Sequence, residues 1–180
     1  MDCMQAKIKL LIVDDSKLVR KTIAGIFQED DSIDVVGEAV NAEEALRLIP
    51  ELRPDVITLD INMPGMDGLS ALKHVMIKYR IPTLMLSSAT QEGSTPAFDS
   101  LKYGAVDFIP KININTEAEK KAFHARVIEK VRRGLQAFIL TQCVTRSLAK
   151  RTKRSAPMSS PCHACWRIYG RIRQHSENRA

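Results

Sequence analysis

Short apolar runs alternate with longer stretches of helical periodicity over residues 7–111. Five runs have the length and apolar content of buried strands, namely KIKLLIV, DVVGEA, DVITLD, PTLMLS and VDFIP. Strands that alternate with helices along a chain form a parallel sheet with helices on both faces. The sequence therefore predicts an α/β fold with a doubly wound, five-stranded parallel sheet and five helices.

Each predicted helix has its own apolar stripe at a spacing of three and four residues. In chain order the stripes are Leu18, Ile23, Ile26 and Phe27; Ala42, Ala45, Leu46 and Ile49; Leu69, Leu72, Val75 and Met76; Phe98, Leu101 and Ala105; and Phe123, Val127, Val131, Leu135 and Phe138. Asn41 is expected to cap the second helix, and Thr116 with Glu119 forms a capping-box pattern before the fifth.

Polar residues follow the predicted strands where a doubly wound sheet binds its ligands, at the carboxyl edge. Asp14 and Asp15 follow the first strand, and Asp60 ends the third. Ser87 ends the fourth strand and Lys111 follows the fifth. Three carboxylates, a hydroxyl and an ammonium are therefore expected at one edge.

Clustered carboxylates repel one another, so such a site should bind a cation or raise a pKa. Oxygen ligands in small number suit Mg²⁺, and a metal beside a lysine can hold a phosphoryl group. Asp60 would then be the nucleophile, with Mg²⁺ on Asp15 and Asp60, Lys111 on the opposite side, and Ser87 bonded to a phosphate oxygen. Taken singly, these residues are better explained as helix caps, turn formers or surface charges. Their joint placement favours chemistry.

Four motifs resemble the receiver domain of bacterial response regulators: VDDS at 13–16, LDINMPGMDG at 59–68, LSS at 86–88 and GAVDFIPK at 104–111. The resemblance covers residues 7 to about 135. Within the family, PDVITLDINMPGMDGL, SSATQEG and GAVDFIPK are most similar to the regulatory domain of the chemotaxis protein-glutamate methylesterase. The resemblance implies a flavodoxin-like sheet of order 2-1-3-4-5.

The resemblance also implies a role for each residue of the cluster. Asp60 matches the phosphoacceptor, Asp14 and Asp15 the acidic metal pair, Asn62 the backbone carbonyl that binds the metal, Lys111 the phosphate contact, and Ser87 and Phe108 the conformational switch. One position departs from the family, since Ile112 follows Lys111 where proline is usual after a cis bond. Whether the Lys111–Ile112 bond is cis stays open, because a cis bond without proline costs about 2.5–4 kcal/mol.

Charge divides the chain unevenly. Residues 1–120 hold 13 Lys+Arg against 19 Asp+Glu, whereas residues 121–180 hold 14 against 2. We expect a receiver domain at 1–142, including an extended fifth helix, and a basic, disordered tail at 143–180. The pair Cys162 and Cys165 lacks a second pair of metal ligands, so no function is assigned to it.

The N-terminal run IKLLIV is too short for a secretory signal and no stretch could span a membrane, so a cytoplasmic location is expected. The expected function is transfer of a phosphoryl group from a chemotaxis-type sensor histidine kinase to Asp60, with Mg²⁺, followed by a conformational change that an unknown output protein reads. Only self-phosphorylation and autodephosphorylation are expected as activities, because a GxSxG methylesterase motif is lacking.

Two alternatives come from other classes. The first is a Mg²⁺-dependent phosphatase with an aspartate nucleophile. It would need a second acidic residue at position 62, where this chain has Asn62. The second is nucleic-acid binding through the basic tail, against which a solvated tail is favoured.

Overall fold

A computed structural model describes residues 7–28, 30–87, 100–111 and 117–151. The strands are β1 (Ile8–Val13), β2 (Ile33–Ala39), β3 (Val56–Asp60), β4 (Thr83–Ser87) and β5 (Asp107–Pro110). The helices are α1 (Lys17–Gln28), α2 (Ala42–Leu52), α3 (Gly68–Lys78), α4, of which residues 100–102 are described, and α5 (Glu117–Arg151).

All strand pairs are parallel, and the sheet order is β2-β1-β3-β4-β5. The predicted doubly wound sheet and its order are therefore confirmed. The strand β3 is buried along its whole length, which explains why VITL is a continuous apolar run rather than an alternating one. In register, Asp60 lies opposite Leu86, and Ser87 lies opposite Pro110.

Successive side chains of β1 enter two different core layers, because side chains of a strand point alternately to the two faces. Leu10 and Ile12 pack in the layer covered by α1 and α5. Leu11 and Val13 pack in the layer covered by α2 and α3. Both faces of the sheet are thus sealed by helices, and its carboxyl edge stays open for polar residues.

Most predicted stripe residues are buried, but Leu18 is 75% exposed and its place in the first stripe was wrong. At 100° per residue, Leu18 lies about 140° around the helix from Ile23, so the two cannot face the same core. Leu101 is 39% exposed, and Ala105 is buried just beyond the helical residues 100–102. Asn41 caps α2 as predicted, its side chain accepting a hydrogen bond from Glu44 N at 2.8 Å.

Helix α5 continues to Arg151, past the predicted domain boundary at residue 142. It packs on the sheet through Phe123, Val127, Val131 and Leu135. Predictions for Phe98, Thr116, the Lys111–Ile112 bond and the Cys162–Cys165 pair lie outside the described residues. Within the described ranges, no helix combines the length and apolarity that crossing a bilayer requires.

Candidate functional site

Three strands deliver charged side chains to the carboxyl edge of the sheet. Asp14 follows β1, Asp60 ends β3 and Lys111 follows β5. The strands are parallel, so residues at their carboxyl ends meet at one edge. Asp14 is 0% exposed and Asp60 1% exposed, which is rare for carboxylates and costly unless they are paired.

Lys111 pairs with both buried carboxylates. Its Nζ lies 2.7 Å from Asp14 Oδ2 and 2.8 Å from Asp60 Oδ2, and its side chain is 18% exposed. Apart from this ion pair with Lys111, no donor within the described residues serves Asp14 Oδ2, which is buried. Charge attraction at this short distance is therefore what holds Asp14 Oδ2, and the atom keeps capacity for a further cation.

Backbone amides orient the other oxygen of each carboxylate. Asp14 Oδ1 accepts a hydrogen bond from Ser16 N at 2.9 Å, and Asp60 Oδ1 accepts one from Asn62 N at 3.3 Å. Each donor lies two residues after its acceptor, which is the pattern of an Asx turn. The same turns that end the strands therefore point the carboxylates into the site.

Asp15 completes an acidic cluster. One carboxylate oxygen from each of Asp14, Asp15 and Asp60 lies within 4.8 Å of the other two. Asp15 is exposed while the other two are buried, so the cluster opens to solvent on one side. A small set of oxygen-only donors with an open side fits Mg²⁺, which retains waters and takes few protein ligands. The residues present thus suit the metal that the sequence predicted.

The surroundings of the pocket raise the pKa of both Asp60 and Lys111. Burial raises the pKa of Asp60 above its usual range, the hydrogen bond and charge of Lys111 lower it in part, and the charge of Asp14 raises it further. Burial by itself lowers the pKa of Lys111, but its contacts with Asp14 and Asp60 outweigh that effect and raise it. Lys111 is therefore held as a positive charge, whereas the raised pKa of Asp60 means that its ionised form is less favoured here than in water.

The loop after Asp60 brings α3 unusually close to β3. Asp67 caps α3 by accepting a hydrogen bond from Ser70 N at 2.8 Å, and this bond lowers the pKa of Asp67. Gly68 N donates to Ile61 O at 3.0 Å. A Cβ on Gly68 would lie 2.0 Å from the carbonyl oxygen of Asp60. Residue 68 must therefore be glycine, because any side chain would clash with the backbone of Asp60.

One site residue was missed at the sequence level. Arg20 is buried on the core face of α1, and its Nη1 donates to the carbonyl oxygens of Asp14 at 2.9 Å and Asp15 at 3.1 Å. The available signal was an arginine at the spacing of the first apolar stripe, three residues before Ile23 and seven before Phe27. Such a residue needs polar partners inside the fold.

The other predicted site residues are Phe108, Ser87 and Asn62. Phe108 is half-buried and packs against the core layer under α2 and α3. The backbone of Ser87 ends β4 beside Pro110 of β5, while its side chain lies outside what is described. Asn62 is exposed and lies two residues after Asp60. The structure thus brings Asp14, Asp15, Asp60 and Lys111 together in one site. The switch roles of Ser87 and Phe108 stay predictions.

The fold is a doubly wound parallel sheet with an acidic pocket at its carboxyl edge, and comparison with known proteins gives the family. Residues 10–122 match the family model described as response regulator receiver domain. The chain belongs to the response regulator receiver family, which operates in two-component signalling. Receiver domains are phosphorylated by histidine kinases and generally bind Mg²⁺ at the acidic pocket.

Similar curated proteins are named protein-glutamate methylesterase/protein-glutamine glutaminase. The one from Pyrococcus horikoshii is 40% identical over 163 residues, covering 87% of this chain and 44% of the relative. A second, from Carboxydothermus hydrogenoformans, is 42% identical over 127 residues, covering 71% of this chain and 36% of the relative. The chain therefore spans less than half the length of these relatives.

Solved structures give the same family. The response regulator domain of Thermotoga maritima CheB has a TM-score of 0.66 and 37% identity, covering 73% of this chain and 98% of that chain. A CheX-CheY-BeF3-Mg+2 complex from Borrelia burgdorferi has a TM-score of 0.59 and 29% identity, covering 70% of this chain and 87% of the matched chain.

Proposed function

We propose that this chain takes a phosphoryl group from a histidine kinase onto Asp60, in a Mg²⁺-dependent reaction, and that the product changes the shape of the domain. The observation that carries the proposal is the buried carboxylate of Asp60, 2.8 Å from Lys111 Nζ and clustered with Asp14 and Asp15. Burying two carboxylates is costly, and a strongly perturbed carboxylate in a polar pocket is a candidate functional group. Phosphoryl transfer depends mainly on positioning and on neutralising charge, which a lysine and a bound cation beside Asp60 can supply.

The proposed reaction is a displacement at phosphorus. A carboxylate oxygen of Asp60 attacks the phosphorus of a phosphohistidine, and an O–P bond forms as the P–N bond breaks. The electron pair stays on the imidazole nitrogen, which takes up a proton. Mg²⁺, when held by Asp14, Asp15, Asp60 and the carbonyl of Asn62, supplies positive charge to the phosphoryl oxygens.

Lys111 has two roles in this proposal. Before transfer, its charge favours the ionised form of Asp60, which is the form that attacks. After transfer, its ammonium is placed to contact a phosphoryl oxygen, because its Nζ already lies beside the attacking group. After the Asp60 carboxylate has become an acyl phosphate, the ion pair with Asp14 still keeps Lys111 at this edge.

The experiment is phosphorylation with acetyl phosphate and Mg²⁺, followed by intact-mass measurement. The parent should gain one phosphate, and Asp60→Asn should gain none. Asp55→Asn is the matched control, because Asp55 lies at the opposite end of β3 and accepts from Lys9 N at 3.0 Å, as an asparagine also could. Labelling of Asp60→Asn at the parent level refutes the assignment. Because autodephosphorylation also releases phosphate from acetyl phosphate, the phosphatase alternative would be favoured only by repeated hydrolysis of a phosphomonoester such as p-nitrophenyl phosphate.

We also propose that Ser87 and Phe108 pass the change to the surface near α4 and α5. A ligand shifts a conformational equilibrium only through contacts that differ between the states, and a hydroxyl at Ser87 would gain one with the phosphoryl group. Phe108 contacts α5 through Lys130 of that helix. Lys130 Nζ donates a hydrogen bond to the carbonyl oxygen of Phe108 at 2.9 Å and lies 5.3 Å from the centre of its ring.

Hydrogen exchange over residues 100–110 tests this relay. Ser87→Ala should still take phosphate on Asp60 but lose most of the phosphate-dependent change in exchange. Thr83→Ala, at the other end of β4, is the control and should keep that change. Equal changes in Ser87→Ala and the parent contradict the relay.

The setting we propose is chemotaxis-type signalling. It is supported by relatives that are named protein-glutamate methylesterase and by the similarity to the Thermotoga maritima CheB response regulator domain. The proposal is limited to the receiver, because the chain matches less than half of those relatives. Phosphotransfer from a purified chemotaxis-type kinase, compared with an unrelated sensor kinase, would test the choice of partner.

A further inference from the structure

Arg20 is a charged residue inside the hydrophobic face of α1. Its side chain is 11% exposed, and the helix also buries Ile23, Ile26 and Phe27 on that face. A buried guanidinium is unfavourable unless its donors are used. Its partners therefore indicate why an arginine stands at this position.

Within the described residues, Arg20 donates three hydrogen bonds, which lead to the turn of the acidic site or fix the guanidinium beside it. Nη1 donates to Asp14 O at 2.9 Å and to Asp15 O at 3.1 Å, which are consecutive carbonyls of the turn between β1 and α1. Nε donates to Glu38 Oε2 at 3.1 Å, from the neighbouring strand β2. The planar guanidinium is rigid, so fixing it at Glu38 also fixes the two carbonyls.

The backbone that Arg20 holds carries two of the three clustered carboxylates. Asp14 is also held through its side chain by Ser16 N and Lys111. Asp15 is exposed, so the position of its carboxylate depends mainly on where the backbone places it. The contact with Asp15 O is therefore the one with the largest consequence for the cluster.

We propose that Arg20 is a positioning residue for the metal site. It holds the turn at residues 14–15 so that the Asp14 and Asp15 carboxylates reach one Mg²⁺ together with Asp60. This inference rests on the proposed function, in which the cluster binds Mg²⁺. It assigns to a residue of α1 a role in metal affinity without direct contact with the metal.

Two effects of Arg20 on Mg²⁺ binding have opposite signs, which makes the proposal testable. By its charge alone, Arg20 repels a nearby cation, so its removal would tighten Mg²⁺ binding. By holding the turn, it prepares the ligands, so its removal would weaken binding. Residues that orient metal ligands typically change metal affinity by about 10–100-fold when they are lost.

Calorimetric titration of MgCl₂ into the metal-free chain measures the sign directly, with no phosphodonor present. Arg20→Met, which keeps much of the apolar stem, should raise the Kd for Mg²⁺ about tenfold or more. Arg132→Met is the matched control: Arg132 is also a partly buried arginine paired with a carboxylate, Asp30 at 2.8 Å, but it lies away from the site. Its loss should leave the Kd unchanged, at a temperature where circular dichroism shows both variants folded.

Amide exchange at Ser16 in the metal-free chain gives a second readout. Arg20→Met should speed this exchange, because the hydrogen bond from Ser16 N belongs to the turn that Arg20 holds. Arg132→Met should not. If Arg20→Met fails to fold, Arg20→Lys replaces it. Lysine keeps the charge but lacks the planar fork, so it should also weaken Mg²⁺ binding and speed the exchange.

The outcomes separate this inference from the proposed function. Equal or tighter Mg²⁺ binding by the Arg20 variants, beside a parent that binds, overturns the positioning role alone. A parent that binds no Mg²⁺ overturns the metal dependence of the proposed function and, with it, the role of Arg20 in metal affinity. Unchanged exchange at Ser16 in the Arg20 variants overturns the positioning role whatever the metal does.

Discussion

Replacing Gly68 by alanine should damage both the stability of the fold and the reactivity of Asp60. The added Cβ would lie 2.0 Å from Asp60 O, 2.8 Å from Asp60 C and 2.8 Å from Ile61 Cα. All three are backbone atoms, so no flexible side chain can move aside. The start of α3 and the end of β3 must separate by about 1 Å or more to bring the first contact beyond 3.0 Å.

The expected cost follows from this geometry. Overpacking that forces backbone shifts typically costs about 1–3 kcal/mol, and occasionally more. The φ of Gly68 lies outside the left-handed region, so backbone strain adds nothing and the effect is steric. Because Asp60 itself is displaced, phosphorylation should slow as well, and a misplacement of about 1 Å can cost about 100-fold in rate.

Gly25→Ala is the matched control, because a Cβ at Gly25 meets nothing within 4 Å inside α1. This change should stabilise the chain by about 0.5–1 kcal/mol, through the better helix propensity of alanine. Urea denaturation followed by circular dichroism should show a lower midpoint for Gly68→Ala and a higher one for Gly25→Ala, with equal slopes. Intact-mass kinetics with acetyl phosphate give the rates. A Gly68→Ala variant with parental midpoint and rate refutes the reasoning.

Three further predictions concern charge. Asp60→Asn should raise the melting temperature at neutral pH. In a chain of this size, each kcal/mol added to the free energy of unfolding raises the melting temperature by about 2–4 °C. Because the folded pKa of Asp60 is raised above 3.8, the parent loses stability as pH rises from 3.8 through the folded pKa, so the two melting curves should converge in acid. Mg²⁺ at about 100 times its Kd should stabilise the parent by about 2.7 kcal/mol and Asp14→Asn far less, as thermal unfolding with and without EDTA would show. Arg132→Met should cost about 3 kcal/mol in urea denaturation, since it removes the 2.8 Å pair with nearly buried Asp30; a loss below about 1 kcal/mol, the value of a surface pair, would contradict this.

The sequence by itself determined the sheet and the position of its polar edge. A buried parallel strand must be apolar along its length, so runs such as VITL mark strands directly, and the residue that ends each run lies at a strand end. The convergence of Asp14, Asp60 and Lys111 follows from that topology. The N-cap of α2 could also be predicted from the sequence, because Asn41 accepts its hydrogen bond from Glu44 N, only three residues along the chain.

Only the tertiary structure decided which charged groups meet and which apolar residues stay exposed. That Lys111 contacts both Asp14 and Asp60 depends on side chains delivered by three different strands. Arg20 belongs to the site because its guanidinium reaches back to the turn before its own helix, while periodicity would count its position as core. Leu18 is exposed although it is apolar, because the face of α1 that meets the sheet is set by packing. Periodicity reports how often a residue type recurs along the chain, whereas contacts between distant residues are fixed only when the sheet closes.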